Sequence, residues 1–246
     1  MKKTKQNEII ELQKEIQKQA EQETFSIDKD VYQAAGRDPL SPILLAGSLE
    51  SPLCFFARDL GKDEVHAGQP LYGAAGRLVR GGIHHFLHNT IASSNEDLQK
   101  AASCVLLTNT VPYKPIDNKA YPVKVKERFR PFLVKLLMEH WQGKCIISLG
   151  SEALQWFEKY DTSSQFKSFM KSEKRFTETF TLDLKATTNK GIEVRKSVIL
   201  APLPHPSPLN QKYYTLFPQM LAKRLECFGE EIRQFACSQG DMVRGY

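Results

Sequence analysis

Three polar side chains stand where an apolar run gives way to a loop. Asp59 follows Leu53-Cys54-Phe55-Phe56-Ala57, and Asn109 follows Cys104-Val105-Leu106-Leu107-Thr108. His205 lies in Pro202-Leu203-Pro204-His205-Pro206-Ser207-Pro208-Leu209, just after Val198-Ile199-Leu200. Ligands of open α/β sheets bind beyond the carboxyl ends of strands, where Asp59 would sit. A turn or a helix N-cap is the plainer role for such an aspartate. An amide offers donors and an acceptor, so Asn109 can read the edge of a pyrimidine; it is also a common turn residue. Proline fixes φ and restricts the residue before it. The His205 loop is therefore stiff, able to hold an imidazole and the Ser207 hydroxyl in place. A Pro-rich turn with a surface histidine is the alternative.

A further stretch, Gly68-Gln69-Pro70-Leu71-Tyr72-Gly73-Ala74-Ala75-Gly76-Arg77-Leu78, precedes a helix reaching about His88. Small residues let a backbone approach a ligand, and free N–H groups at a helix start suit phosphate oxygens. A structural turn fits the same residues. Residues 123–141 read as an amphipathic helix carrying Lys124, Lys126, Arg128, Arg130 and Lys135, either a solvated face or one near a phosphate backbone. Lys167, Lys171, Lys174 and Arg175 give residues 161–175 a positive excess.

Positioning these groups calls for strands at Leu53–Ala57, Cys104–Thr108, Lys144–Leu149 and Ile192–Leu200, alternating with helices. That pattern argues for a parallel sheet covered on both faces. Ile43–Ala46 reads as a short strand. Phe180–Leu184 reads as the first arm of a hairpin that turns at Asn189-Lys190-Gly191. Residues 3–23 carry a thin stripe of Ile9, Ile10, Leu12, Ile16 and Ala20, expected as a loosely packed accessory helix. A final helix is expected over Lys212–Phe228, extending to about Phe235. The division expected is an extension over 1–40, one catalytic domain over 41–237, and a tail over 238–246.

A chain of 246 residues, 41% of them hydrophobic, can bury one large α/β core. Its net charge of +6 permits a polyanionic partner. Cys54, Cys104, Cys145, Cys227 and Cys237 are odd in number and lack C-x-x-C spacing, which argues against a disulfide framework or a zinc site. A reduced, cytoplasmic setting is the expectation. No run approaches the ~20 apolar residues of a membrane span, and the Lys-rich start lacks the apolar segment of a signal peptide.

Over roughly residues 50–225 these motifs, in this order, resemble the uracil-DNA glycosylase superfamily. His205-Pro206-Ser207-Pro208-Leu209 is similar to its C-terminal motif. Gly68–Gly76 is similar to the motif of the iron–sulfur branch, family 4. Ala57-Arg58-Asp59 looks more like the Gly-Gln-Asp of the classical branch. Leu149-Gly150-Ser151 fits the fourth strand and the helix after it.

The resemblance implies a three-layer α/β/α sandwich around a central, mostly parallel four-stranded sheet. It implies hydrolysis of the N-glycosidic bond of uracil, or a related deaminated base, in DNA, at the start of base excision repair. Asp59 and His205 would be catalytic. Asn109, Arg58, Leu71 and Tyr72 would contact the base, with Leu71 standing where the iron–sulfur branch has a stacking phenylalanine. Ser207, Pro206, Leu209, Gly73, Gly76 and Lys114 would contact DNA, Leu209 as the wedge that replaces an extruded base.

The chain departs from the iron–sulfur branch in having no cysteine in its first 50 residues. Val111-Pro112-Tyr113-Lys114-Pro115 and Arg128-Phe129-Arg130-Pro131-Phe132-Leu133 occupy the later cysteine positions, so no cluster, metal or other cofactor is expected. The Arg-rich insert of the covalently trapping relatives is also missing, which argues against covalent capture of uracil. The expected partner is DNA, not a membrane, and the expected state is a monomer. The rival reading is a nucleic-acid-binding relative that has lost catalysis. An esterase using Ser207 and His205 would need a G-x-S-x-G elbow, which the sequence lacks.

Overall fold

Six strands form one sheet in the computed structural model, which describes residues 2–22, 24–161, 163–187, 192–207 and 210–240. They are β1 (Leu45–Gly47), β2 (Leu53–Ala57), β3 (Leu106–Asn109), β4 (Cys145–Ser148), β5 (Phe180–Thr187) and β6 (Glu193–Leu200). The order across the sheet is β1-β3-β2-β4-β6-β5. The four inner strands run parallel, as expected. The sheet is wider than the expected four strands, because β1 and β5 each add an antiparallel edge.

Apolar residues on both sides of a strand demand a layer on both sides of the sheet. Every residue of β2 is buried. Cys54 and Phe56 belong to one apolar layer, while Leu53, Phe55 and Ala57 belong to the other. Helices α1 (Lys2–Glu21), α2 (Lys29–Ala34), α3 (Lys62–Ala67), α6 (Val123–Lys135), α7 (Ser151–Gln155) and α8 (Gln165–Lys171) contribute buried residues to the first layer. Helices α4 (Ala74–His88), α5 (Asn95–Ser103), α10 (Phe217–Cys227) and α11 (Gly229–Ser238) contribute to the second. A one-turn helix, α9 (Gln211–Tyr214), follows the His205 loop. The architecture is the α/β/α sandwich.

Two expectations are corrected. Helix α1 is not loosely attached: Leu12 and Ile16 are fully buried, and Ala20 is buried beside them. The C-terminal helix is three helices rather than one. Pro218 lies in the first turn of α10, where its missing N–H is tolerated, and a second break falls at Phe228. The expected turn at Asn189-Lys190-Gly191 and most of the tail lie outside the described residues. Among the described residues no helix is long and apolar enough to cross a membrane.

Candidate active site

The parallel strands bring Asn109, Asp59 and His205 to the same edge. In chain order β2 leads to β3 on one side of it, and β4 leads to β6 on the other. The connections therefore leave β2 and β4 in opposite directions, opening a crevice at their carboxyl ends. Main-chain bonds beyond the ladders fasten this rim. Thr110 N donates to the carbonyls of Ala57 and Arg58, both at 2.9 Å, and Leu149 N donates to Phe56 O at 2.9 Å. Gly150 N donates to Leu203 O at 2.8 Å, and Leu203 N to Ser148 O at 2.9 Å.

Asp59 lies two residues beyond β2 with its side chain only 1% exposed. The Thr110 hydroxyl and Tyr121 N–H each stand 3.4 Å from its oxygens, and Arg58 Nε stands 3.5 Å away. These distances are long for hydrogen bonds. Burial accordingly wins and holds the carboxyl above the usual aspartate range, with Arg58, the Tyr121 N–H, Lys126 and the Thr110 hydroxyl opposing it.

Asn109 ends β3 opposite Ala57. It is buried, and its Oδ1 has no hydrogen-bond partner among the described residues. An unsatisfied buried acceptor costs about 1–3 kcal/mol, which a ligand donor would recover.

His205 depends on Gly150. Gly150 has φ +87°, and a Cβ there would meet His205 Cβ at 3.0 Å, so only glycine lets the two loops close. Burial, then the nearby Arg58 charge, pulls the imidazole below its ordinary pKa, leaving it neutral near pH 7. Asn210 Nδ2 and Ser207 N both donate to the His205 carbonyl, at 3.2 and 2.9 Å, which curls the loop on itself. Pro206 is buried and Ser207 half-buried in this curl. Leu209, the expected wedge, lies outside the described residues.

Arg58 bridges the rim. It flanks Asp59, adds positive potential at His205, and donates through Nη2 to Asn118 O at 3.0 Å. His205 lines a hollow of about 240 Å³ with Gly150, Ser151, Asn210 and Tyr213. Tyr121 lines a different groove of about 630 Å³, with Lys126, Arg130, Glu152 and Trp156. Asp59 and Asn109 line neither. Asp59 lies beneath the edge beside Arg58, and Asn109 ends the neighbouring strand.

Several expected DNA contacts are corrected. Lys114 is buried, and its ammonium is consumed by Asp28 at 2.7 Å and Pro115 O at 2.9 Å. Gly73 does not present a free N–H: Glu64 Oε1 accepts from both Tyr72 N (2.9 Å) and Gly73 N (2.8 Å). Gly76 is small for a packing reason, since a Cβ there would fall 2.0 Å from the Leu71 carbonyl. The glycine-rich loop is thus built around Glu64 and the buried Arg80. Arg80 donates to Leu71 O at 2.8 Å and to Pro70 O at 3.2 Å.

Leu71 sits in the second apolar layer with φ 51°. Tyr72 turns toward α4 and α5: its ring centroid lies 5.2 Å from the Arg80 guanidinium, beside Asn95 and Gln99. Sequence reading missed Tyr121, which is 3% exposed, touches Asp59 through its N–H, and has a buried hydroxyl with no partner among the described residues. An aromatic before a proline in a connecting loop carries no signal of that kind. The five cysteines are spread over separate elements, and no metal-holding cluster occurs among the described residues.

The family model described as uracil DNA glycosylase superfamily matches residues 46–229, which takes in every strand end named above. No curated protein matches the chain.

Proposed function

Since the chain belongs to the uracil DNA glycosylase superfamily, whose general activity is release of a base from DNA, we propose that it hydrolyses the N-glycosidic bond of uracil. The observation that carries this reading is the buried, unpartnered Asn109 Oδ1 on the strand beside the one that delivers a desolvated carboxylate. An amide oxygen fixed there accepts from the ring N–H of uracil. Cytosine has no hydrogen on that nitrogen and would leave the acceptor unpaired. A site built around such a buried group rejects the analogue that cannot satisfy it.

Hydrolysis breaks the bond from sugar C1′ to the ring nitrogen, and the bonding pair leaves with the base. Asp59, ionised, balances the positive charge growing on the sugar and holds the water whose oxygen bonds to C1′. The water's proton passes to that carboxylate or to solvent. His205 is neutral and donates a ring N–H to the base oxygen that gains charge, in the manner of an oxyanion-hole donor, worth about 2.7–4 kcal/mol. Ser207, beside it, contacts a backbone phosphate. Arg58 flanks Asp59, and its bond to Asn118 O is exposed, so the guanidinium is able to move as a base enters.

The competing reading, a DNA-binding relative without catalysis, draws on the enclosure of Asp59. Oligonucleotides with one uracil, single-stranded or in duplex, decide the matter. The protein should generate alkali-labile sites at uracil, and the Asp59→Asn protein should bind the same strands while generating them at least about 10²-fold more slowly. Binding without cleavage by the unaltered protein would establish the competitor.

A further inference from the structure

The hollow beside His205 has a second wall that the chemistry above does not use. It comes from the segment between α8 and β5 and from α9, and presents Arg175, Phe176 and Tyr213. The rings of Phe176 and Tyr213 meet edge-on, with centroids 5.4 Å apart. The Arg175 guanidinium lies 4.3 Å from the Phe176 centroid, and Lys212 Nζ lies 5.1 Å from that of Tyr213. Asn210 adds an amide to the same hollow.

The wall is held rigidly against the histidine loop. Arg224 is 2% exposed and donates to four main-chain carbonyls: Arg175 (2.9 Å), Thr177 (3.1 Å), Glu178 (2.7 Å) and Pro202 (3.3 Å). Three of these belong to the wall. The fourth belongs to the chain that delivers His205. A buried guanidinium with its donors spread over both segments fixes their spacing.

Aromatic rings, flanking cations and an amide are the elements from which sequence-tolerant sites for unstacked bases are made. At ~30 Å³ per water molecule, 240 Å³ is the space of about eight waters, the scale of one heterocycle. We propose that this hollow takes the unpaired nucleotide immediately flanking the target base in the same strand, which makes single-stranded DNA the favoured substrate. The inference rests on the glycosylase reading only for the identity of the target. A paired, stacked neighbour cannot enter the hollow, so duplex DNA forgoes this contact.

The test uses the full chain and labelled single strands carrying one uracil, either intact or with an abasic spacer replacing the 5′ or the 3′ neighbour. For the unaltered protein, a spacer on one side weakens binding roughly 5- to 150-fold, the range of base–aromatic stacking, and a spacer on the other side does not. Phe176→Ala and Tyr213→Ala lose a similar factor on the intact strand and nothing further on the sensitive spacer strand. Phe176→Trp and Tyr213→Phe retain the unaltered affinity. Melting temperatures confirm that the variants are folded.

The proposal is overturned if the unaltered protein is indifferent to both spacers. It is also overturned if the alanine variants lose the same factor on intact and spacer strands. Uracil release, measured on the same samples, reports separately on the catalytic reading. Spacer sensitivity without release leaves the subsite standing and removes the glycosylase. Release without spacer sensitivity does the reverse.

Discussion

Replacing Asp59 by asparagine separates a functional carboxylate from a structural one. Among the described residues, the polar neighbours of the Asp59 oxygens stand at 3.4–3.5 Å, whereas strong N–H···O bonds lie near 2.7–3.2 Å. Little bonding is lost with the charge. Burial raises the carboxyl's pKa in the folded protein, so the folded state binds the proton more tightly than the unfolded chain does. The stability this group contributes is present below the unfolded value, near 3.8, and is lost as pH rises through the folded value. At neutral pH the ionised group opposes folding, and a neutral isostere removes that opposition. Asp59→Asn should therefore melt at the same temperature as the unaltered protein or higher. Its kcat/KM for uracil release should fall about 10²–10⁴-fold, equivalent to about 2.7–5.4 kcal/mol of barrier. Thermal unfolding by circular dichroism and alkaline cleavage of a uracil oligonucleotide measure the two quantities on one sample. Activity within tenfold of the unaltered protein would place the chemistry elsewhere. A collapse in melting temperature would make Asp59 a structural residue and refute the reasoning.

The pH dependence of kcat/KM carries two marks. Its acid limb should lie above 3.8 because Asp59 is desolvated, and the protonation of His205 should add a loss centred below 6.5; a limb centred above 6.5 would contradict a buried, Arg58-flanked imidazole. Lys114→Met should destabilise the fold by roughly 2–3 kcal/mol in urea titrations. That is somewhat less than a fully buried broken pair, because Asp28 keeps some contact with water. The DNA affinity of this variant should keep the unaltered salt slope, since the Lys114 ammonium is buried and held by Asp28 and Pro115 O. Gly76→Ala should destabilise by more than the ~1–3 kcal/mol of ordinary overpacking, because the added methyl meets the Leu71 backbone rather than a movable side chain; an unchanged melting temperature would show that this loop can shift.

Strand identity was legible in the chain because a parallel inner strand must be apolar on both faces, and Leu53–Ala57 and Cys145–Ser148 are. The polar residue that ends such a run is conspicuous for the same reason, so Asp59, Asn109 and His205 stand out in the sequence alone. The short helices α2, α3, α5 and α8 were not anticipated. They span only 6–9 residues, too few turns for a clear periodicity, and they exist because the layers need covering.

Lysines and glycines were the least legible. Lys114 and Lys124 are the same residue type in neighbouring loops and helices, yet only the fold buries the first against Asp28, while the second stays exposed. The glycines before α4 read equally as a phosphate cradle or as a tight turn. Glu64, reaching forward over eight and nine residues to Tyr72 and Gly73, decided for the turn. Periodicity and the apolar content of a segment are local properties, and a sequence displays them directly. Which charge meets which, whether an N–H is already taken, and which N–H faces which carboxylate depend on segments tens of residues apart, so those pairings were settled only when the sheet brought them together.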